Sequence, residues 1–499
     1  MNKKIIGDLN EIKSIHGNLI LCHGVFDLFH IGHLNYIQEA KKLNLPLVVS
    51  LTGDKYVNKG PGRPRFKEFE RAKMIAALED VDYVYINQES DAISLIKKLK
   101  PVYYCKGKDY ADSTEDITQK IGLEELAVNE AGGELKIIYT DLESSSELIN
   151  QNISSLNSAQ LEFIARAKNL TTVKEVIGVM DKLSKLKVCL IGEIILDKYV
   201  FCNPENLSSK SPTVSSKYLY EETYLGGVLA VARNLHELGV DVEVYTLTGP
   251  DLDGTDIQEK LNKLQFPIYR FNTASPTPIK TRYIKPEKNQ RLFELFNINT
   301  EQTYLEDKSE LMQALRTRMS SYELILAADF GHGLFNVEML EFLKEFSHIT
   351  YLNTQTNSEN YGFNLITKFD KLAYFSIDER EARLALSDRF SDINILVEKF
   401  SKIYPDSEFS ITLGSRGSVL MNKENEKVFC PAYFDMGLDA TGAGDLYFAF
   451  TSLLAFLKMD SITTLLLGNL YAGLKTRIQG NSEVVSKISL IKTVTSLFK

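Results

Sequence analysis

The sequence predicts an α/β protein built from two consecutive open parallel-sheet domains. Three observations lead there. Short apolar runs alternate with helical stretches along the whole chain, as in parallel sheets covered on both faces. Two glycine-marked passages from strand to helix, near residues 22–33 and 225–239, open these two regions. A Ser-, Asn- and Lys-rich stretch at 144–185 separates them. The chain has 499 residues, enough for two or three domains.

Residues 18–23 (NLILCH) and 45–52 (LPLVVSLT) are apolar runs flanked by breakers and read as buried strands. Between them, Leu34, Ile37, Ala40 and Leu43 share one face of a helix over 32–44. The pattern recurs: a helix over 66–79, the strand VDYVYI, a helix in DAISLIKKLK, the strand VYYC, then ELKIIYT after the Gly132-Gly133 turn. This gives a Rossmann-like first domain over 1–143. The runs AQLEFIARAKNL and VKEVIGVMDKLSKL make 144–185 a helical connector. A second strand-first domain begins with LKVCLIGEIILDKYV and occupies 186–499. The two domains are not copies of each other.

Hydrophobic residues make up 44% and charged residues 25%, the range of soluble globular proteins. A net charge of -9 offers no global attraction to nucleic acid or an anionic membrane, so neither partner is expected. Cys22, Cys105, Cys189, Cys202 and Cys430 form no C-x-x-C pair, which points to reduced buried thiols rather than a zinc site or disulfides. The start MNKKIIGDLNEIK lacks an apolar core and cleavage site, and acids break the apolar stretches short of spanning length. A cytoplasmic location is expected.

The first chemical constellation is CHGVFDLFHIGH at 22–33. In a parallel sheet, ligands sit at the carboxyl ends of strands, where helix N-termini present free N–H groups. Gly24 suits a tight turn at the strand end, and Gly32 lets backbone approach a phosphate. His30 and His33, three apart at a helix start, face one point and can donate to the charge that builds during phosphoryl displacement. A lone histidine here would read as a polar helix start; the H-x-G-H spacing after G-V-F-D argues for more.

G-V-F-D-L-F-H-I-G-H resembles the cytidylyltransferase-like nucleotidyltransferases, which join a nucleoside triphosphate to a phosphorylated acceptor and release pyrophosphate. The resemblance places Phe26 and Asp27 at the nucleotide with Gly24 and Gly32. FKEFERAKMIAALEDVDYV resembles a family helix carrying an arginine near the phosphates, here Arg71. YYCKGKDY resembles the K-G-x-D-Y segment, placing Lys106, Gly107, Asp109 and Tyr110 near the nucleotide, Lys106 with a catalytic part. DLESSSELI resembles the closing serine-rich turn, with Ser144, Ser145 and Ser146 at an anion-binding helix N-terminus. Read without those motifs, Arg71 is a surface residue, Lys106 a solvated lysine and the serines a cap. The implied chemistry is attack of an acceptor phosphate oxygen on the α-phosphate of ATP or CTP, with Mg²⁺ on the triphosphate.

The second constellation is DATGAGD at 439–445, before an apolar helix. N–H groups of Gly442, Ala443 and Gly444 can form an anion hole, and Asp445 can take a proton from an acceptor hydroxyl. This motif, with the rest of 186–499, resembles the ribokinase-like sugar kinases. The resemblance implies a ribokinase-like α/β fold with Gly226 and Gly227 of LGGVLAVARNLHELG on the acceptor side and Asp197 on sugar hydroxyls. It places Thr412, Gly414 and Gly417 of TLGSRG in a nucleotide turn and Asn469 of NLYAG near the base. Lys280, Arg282 and Asp439 fall at the substrate, and a glutamate of an N-x-x-E motif, taken as Glu379, at the metal.

Together the domains resemble the bifunctional heptose kinase/nucleotidyltransferases of bacterial surface-polysaccharide synthesis, with the domain order reversed. That family phosphorylates C1 of a heptose 7-phosphate and, after a separate phosphatase, transfers a nucleotidyl group to the heptose 1-phosphate. The resemblance implies a homodimer with a nucleoside triphosphate and a sugar phosphate as its small-molecule partners. Several kinase positions depart: Ala230 replaces an asparagine, Glu193 an aspartate and His332 a lysine, while Asn353-Thr354-Gln355 stands for D-P-K and Ser376 for the asparagine of N-x-x-E. Two readings of the kinase stay open, an active enzyme on a different sugar phosphate or an impaired structural module. A polyol phosphate acceptor is the alternative for the transferase, disfavoured because YTDLESSSELI replaces R-T-x-G-I-S-T-T. A nucleotide-sensing protein is disfavoured by intact His30, His33 and Asp445.

Overall fold

In a computed structural model, the described residues are 3–57, 60–107, 120–139, 156–207, 211, 213–252, 256–434 and 437–498. The chain divides into two compact units, Met1–Asn157 with Ile491–Lys499, and Ser158–Leu490.

The first unit holds a six-stranded, wholly parallel sheet. Its strands are β1 (Ile5–Ile6), β2 (Ile20–Gly24), β3 (Leu47–Thr52), β4 (Tyr83–Asn87), β5 (Tyr103–Gly107) and β6 (Glu134–Ile138), in the order β1-β4-β3-β2-β5-β6. Alternation along the strands feeds two cores. Ile20, Cys22, Val49 and Leu51 pack with Ile37 and Ala40 of α1 (Ile31–Lys41) and Ala72 and Ile75 of α2 (Glu68–Ala76). Leu19, Leu21, Val48 and Tyr104 pack on the other face with α3 (Ile93–Leu99) and α4 (Lys120–Glu130). The winding reverses between β2 and β5, which creates a crevice at their carboxyl ends.

The stretch expected as a connector ends in two helices of the second unit, α5 (Ser158–Lys168) and α6 (Val173–Leu183). Phe163, Ile164 and Ala167 of α5 and Val176, Val179, Met180 and Leu183 of α6 are buried, so apolar burial makes this segment domain rather than linker. A capping box between Thr172 and Glu175 starts α6.

The second unit carries nine strands in one sheet: β7 (Lys187–Gly192), β10 (Asp241–Thr248), β11 (Ile268–Asn272), β14 (Leu324–Asp329), β15 (Thr350–Thr354), β16 (Tyr374–Asp378), β17 (Glu408–Thr412), β18 (Ser418–Met421) and β19 (Lys427–Cys430). Their order is β11-β10-β7-β14-β15-β16-β17-β18-β19, parallel up to β17 and antiparallel beyond. A separate four-stranded sheet, β13-β12-β8-β9, uses β8 (Ile194–Leu207), β9 (Val214–Gly227), β12 (Ile279–Lys285) and β13 (Gln290–Asn297). Four further helices position the site: α7 (Val228–Glu237), α8 (Glu379–Ala385), α9 (Ala443–Phe456) and α10 (Ser461–Lys475). Residues Leu446 to Leu454 of α9 are all buried, as an apolar helix inside a domain must be. The five cysteines are buried and free. Among the described residues no helix is long and apolar enough to cross a membrane.

Candidate functional site

In the first unit, H-x-G-H lies where the sheet winding reverses. α1 starts at Ile31, one residue before the expected point, because His30 is its N-cap: the Gly32 N–H donates to His30 Nδ1 at 3.1 Å. The Gly32 amide therefore serves the cap. The rings of His30 and His33 lie 4.0 Å apart, and Phe26 lies 5.3 Å from His33. The turn falls on Phe26 (φ 49°) and Leu28 (φ 50°) rather than Gly24, which stays in β2. Two non-glycine residues in this sparsely populated region mark a loop held by its surroundings. Asp27 supplies the hold: it is buried, pairs with Arg63 Nε at 2.5 Å and accepts the Arg65 N–H at 2.8 Å.

Arg71 is not among exposed phosphate-binding groups. It is 0% exposed and donates to the carbonyls of Phe66, Val25 and Thr52 and to Asp54 Oδ1 at 2.7 Å. Its planar fork ties α2 to the ends of β2 and β3. Arg71→Met should strand three carbonyls and a carboxylate, at a cost of about 3–5 kcal/mol. The lowest thermal transition of the full chain should fall by about 10 °C; an unchanged melt would show that the brace is dispensable.

Lys106, on β5, is buried and paired to Glu124 at 2.9 Å, with its ammonium 5.1 Å from the Tyr104 ring centre. Burial pushes the Glu124 carboxyl up, but the charge and hydrogen bond of Lys106, with His23 and the Ala92 N–H, together leave it below its ordinary value. Gly107 ends β5, with open space where a Cβ would stand. Asp109, Tyr110, Ser144, Ser145 and Ser146 lie outside the described residues. Sequence reasoning missed His23, whose ring nitrogens lie 3.0 Å from Ser50 Oγ and 3.4 Å from Thr52 Oγ1 on β3; its place at a strand end directly before the glycine was the available signal.

In the second unit, a cavity of about 270 Å³ lies beside the carboxyl ends of β15, β16 and β17. Asp445 lines it from the first turn of α9. Burial pushes its carboxyl up to about 6, with the Lys280 charge opposing that rise most strongly. Gln355 donates to Asp445. Gly442 is the N-cap of α9 at φ +79°, a conformation that favours glycine, and lines the cavity with Gly444. Ala443 departs from the expected anion hole, since its N–H is bonded to the Ala440 carbonyl at 3.1 Å.

On the sheet side, Asp197 pairs with Arg282 at 2.5 Å and accepts from Asn481 at 2.9 Å; all three line the cavity with Gly227 and Lys280. A Cβ on Gly226 would stand 2.0 Å from Asp197 Oδ2, so only glycine fits this close approach. Asp439 is not at the cavity. It accepts from Tyr199, Arg291, Thr441 and the Gly480 N–H, so it braces the loop before α9.

Thr412, at the end of β17, lines the cavity, whereas Gly414 and Gly417 do not. Gly417 closes the hairpin to β18, where a Cβ would meet the Cys430 carbonyl at 2.0 Å. Asn469, expected near a base, does not line the cavity, and its amide donates to Ser418 Oγ at 2.7 Å and the Leu465 carbonyl at 2.8 Å.

The metal assignment to Glu379 is corrected. Glu379 is drawn to Arg383 and Arg416, while Asp378 and Glu381 line the cavity. Asp378 is the N-cap of α8 and Glu381 its N3 residue, joined in a capping box that turns these two positions toward the cavity. Their three-residue spacing is that of N-x-x-E, two positions later than the sequence reading placed it, with aspartate in the asparagine's place. Burial, then the Asp378 charge, pushes Glu381 up to about 8. Glu193, also passed over as a site residue, accepts the N–H groups of Phe330 and His332, and burial pushes it to about 7.

Residues 21–157 match the model of the cytidylyltransferase-like family, and residues 185–487, more than half of the chain, match the pfkB family of carbohydrate kinases. The chain belongs to the pfkB carbohydrate kinase family. Ahead of the pfkB domain lies the nucleotidyltransferase-type domain, in the order expected. Curated relatives include "Bifunctional protein HldE" from Campylobacter fetus, 38% identical over 30% of this chain and 31% of the relative, and from Syntrophotalea carbinolica, 36% identical over 24% and 26%. The chain thus spans under a third of the length of these relatives. A mutant of phosphofructokinase-2 from Escherichia coli, at 12% identity and a TM-score of 0.50, overlies 63% of this chain and 100% of its own, which shows the pfkB fold.

Proposed function

We propose that this chain is a bifunctional enzyme of nucleotide-sugar synthesis, with an active kinase. The pfkB domain transfers the γ-phosphoryl group of ATP to a sugar phosphate, heptose 7-phosphate being the acceptor that the resemblance favours. The first domain joins a nucleotidyl group from ATP or CTP to the resulting sugar 1-phosphate, once the other phosphate has been removed, and releases pyrophosphate. The observation that carries this reading is that each parallel sheet has its own chemical centre at its carboxyl edge: the paired imidazoles of His30 and His33, and the cavity around Asp445.

In the first domain the two imidazoles would donate to the α-phosphate as charge builds, and the acceptor phosphate needs no base because it is already a nucleophile. Lys106 would reach the phosphates by exchanging Glu124 for them. In the kinase, Asp445 would take the acceptor hydroxyl proton while Asp197 and Gly227 orient the sugar. Mg²⁺ fits the donor set: two carboxylates, Asp378 and Glu381, line the cavity, and no cluster of three or more metal-ligating side chains exists among the described residues. Such a site would share the ion with nucleotide phosphates and supply charge neutralisation. The homodimer expected from the resemblance is part of this proposal.

The test supplies the full chain with each of four nucleoside triphosphates and either heptose 1-phosphate or glycerol 3-phosphate, and measures pyrophosphate. ADP formation from ATP and heptose 7-phosphate is followed in parallel. Pyrophosphate with the heptose phosphate and one of ATP or CTP, plus ADP formation, is expected. Release with glycerol 3-phosphate alone would move the first domain to the polyol reading, and absence of kinase turnover across a panel of sugar phosphates would make the second a structural module.

A further inference from the structure

Two cationic side chains line the kinase cavity, and they are held very differently. Arg282 is committed to carboxylates, with Nη1 on Asp197 at 2.5 Å and Nε on Glu294 at 3.1 Å. Lys280, two residues earlier on β12, lies in register with Asp197 on β8. Among the described residues, no hydrogen bond or ion pair engages its ammonium, although it is half-buried in the cavity wall. A cation withdrawn from water without a partner is costly, and the cost is met when an anion arrives.

The location narrows which anion that is. Burial pulls Lys280 below the ordinary lysine value, with the Asp197 carboxylate opposing and Asp445 adding to that opposition. Lys280 is in turn the strongest charge acting on Asp445. It therefore shares the cavity wall with the side chain assigned to sugar hydroxyls, its strand partner, and with the side chain assigned to the reacting hydroxyl's proton. The phosphate already carried by a heptose 7-phosphate is at the far end of the sugar from C1. The anion that reaches the Asp445 end is the group being transferred.

We propose that Lys280 is a catalytic residue of the kinase, its ammonium donating to the non-bridging oxygens of the phosphoryl group in transit. This rests on the active-kinase reading above. In the step, the acceptor hydroxyl oxygen forms a bond to the γ-phosphorus. The bond from that phosphorus to the β–γ bridging oxygen breaks, and its electron pair leaves with ADP. The hydroxyl proton goes to the Asp445 carboxylate. Lys280 stays protonated and changes no bond; it supplies a preorganised charge where negative charge spreads over the phosphoryl oxygens. The committed Arg282–Asp197 pair leaves this task to Lys280.

The test uses the full chain with ATP and heptose 7-phosphate. Lys280→Met should lower kcat about 100-fold or more while the KM for the sugar phosphate moves less than about threefold. Lys280→Arg should recover part of the loss. The acid limb of the pH profile should shift to higher pH in Lys280→Met, because Asp445 then loses its strongest cation. The remaining groups acting on Asp445 are Asp197 on β8, Lys475 on α10 and the amide of Gln355, with Glu381 on α8 also coupled to it. ATP binding should match the parent protein, and the melting temperature should not fall, because methionine removes a cation that burial disfavours. A raised KM with kcat held would overturn the proposal in favour of an acceptor anchor, and unchanged kinetics would make Lys280 a bystander. If the parent protein itself shows no Asp445-dependent turnover of this or any other sugar phosphate, the kinase reading fails and the proposal falls with it.

Discussion

Replacing His33 by alanine should reduce pyrophosphate release at least about 100-fold and leave sugar phosphorylation untouched. One well-placed donor to a developing oxyanion contributes about 10²–10³ in rate. His33 is the third residue of α1, in its first turn, its ring 4.0 Å from that of His30 and 5.3 Å from Phe26. His30 also caps α1 through Nδ1, so its replacement would mix a folding effect with a chemical one. His33 does not carry that cap, which makes it the cleaner probe. Release unchanged in His33→Ala, measured with the nucleotide and sugar phosphate that the parent protein uses, would remove the assigned role of the H-x-G-H loop.

Asp445→Asn should abolish kinase turnover, by roughly 10²–10⁴-fold, the usual range for loss of a general base. Because burial holds Asp445 near 6, the parent kinase should gain activity as pH rises through about 6 and the carboxylate ionises. Stability should run the other way. The folded state keeps the Asp445 proton to higher pH than the unfolded chain, so it binds more protons between about pH 4 and 6. That stabilisation is present below the unfolded value and is lost as pH rises through the folded one. Above pH 6 the parent therefore holds a buried, costly carboxylate that the asparagine variant lacks, a difference on the order of 3 kcal/mol. A variant that is inactive yet melts higher at pH 7 is the expected outcome. An inactive variant that melts lower would indicate that Asp445 holds the fold instead.

Both domains were legible as parallel α/β units because each alternates buried runs with amphipathic helices, and that pattern depends on local spacing alone. The H-x-G-H and G-A-G-D loops were legible for a related reason. The chemistry proposed for them needs particular residue types within one turn, so sequence neighbours remain spatial neighbours. Residues whose partners are distant in sequence were not. Arg71 read as a phosphate ligand from its helix, but its position relative to Val25 and Thr52, 46 and 19 residues away, makes it a brace. Asp439 and Asn469 likewise have polar groups engaged by Tyr199 and Ser418 across the domain, partners that sequence spacing does not reveal.

The sequence by itself determined that this chain carries two parallel-sheet domains, a closely spaced histidine pair at a helix start and a carboxylate at the start of an apolar helix. Tertiary structure alone decided which charged groups face the cavity. Glu379 and Glu381 lie two positions apart, yet one is drawn to Arg383 and Arg416 while the other is buried against the cavity by the cap it shares with Asp378. Likewise Arg282 and Lys280 lie two apart on one strand, and only packing reveals that the arginine is neutralised by Asp197 and Glu294 while the lysine is not. The physical reason is that periodicity records which way a side chain leaves the backbone. Its charge state and availability depend on burial and partners that the folded chain brings from elsewhere.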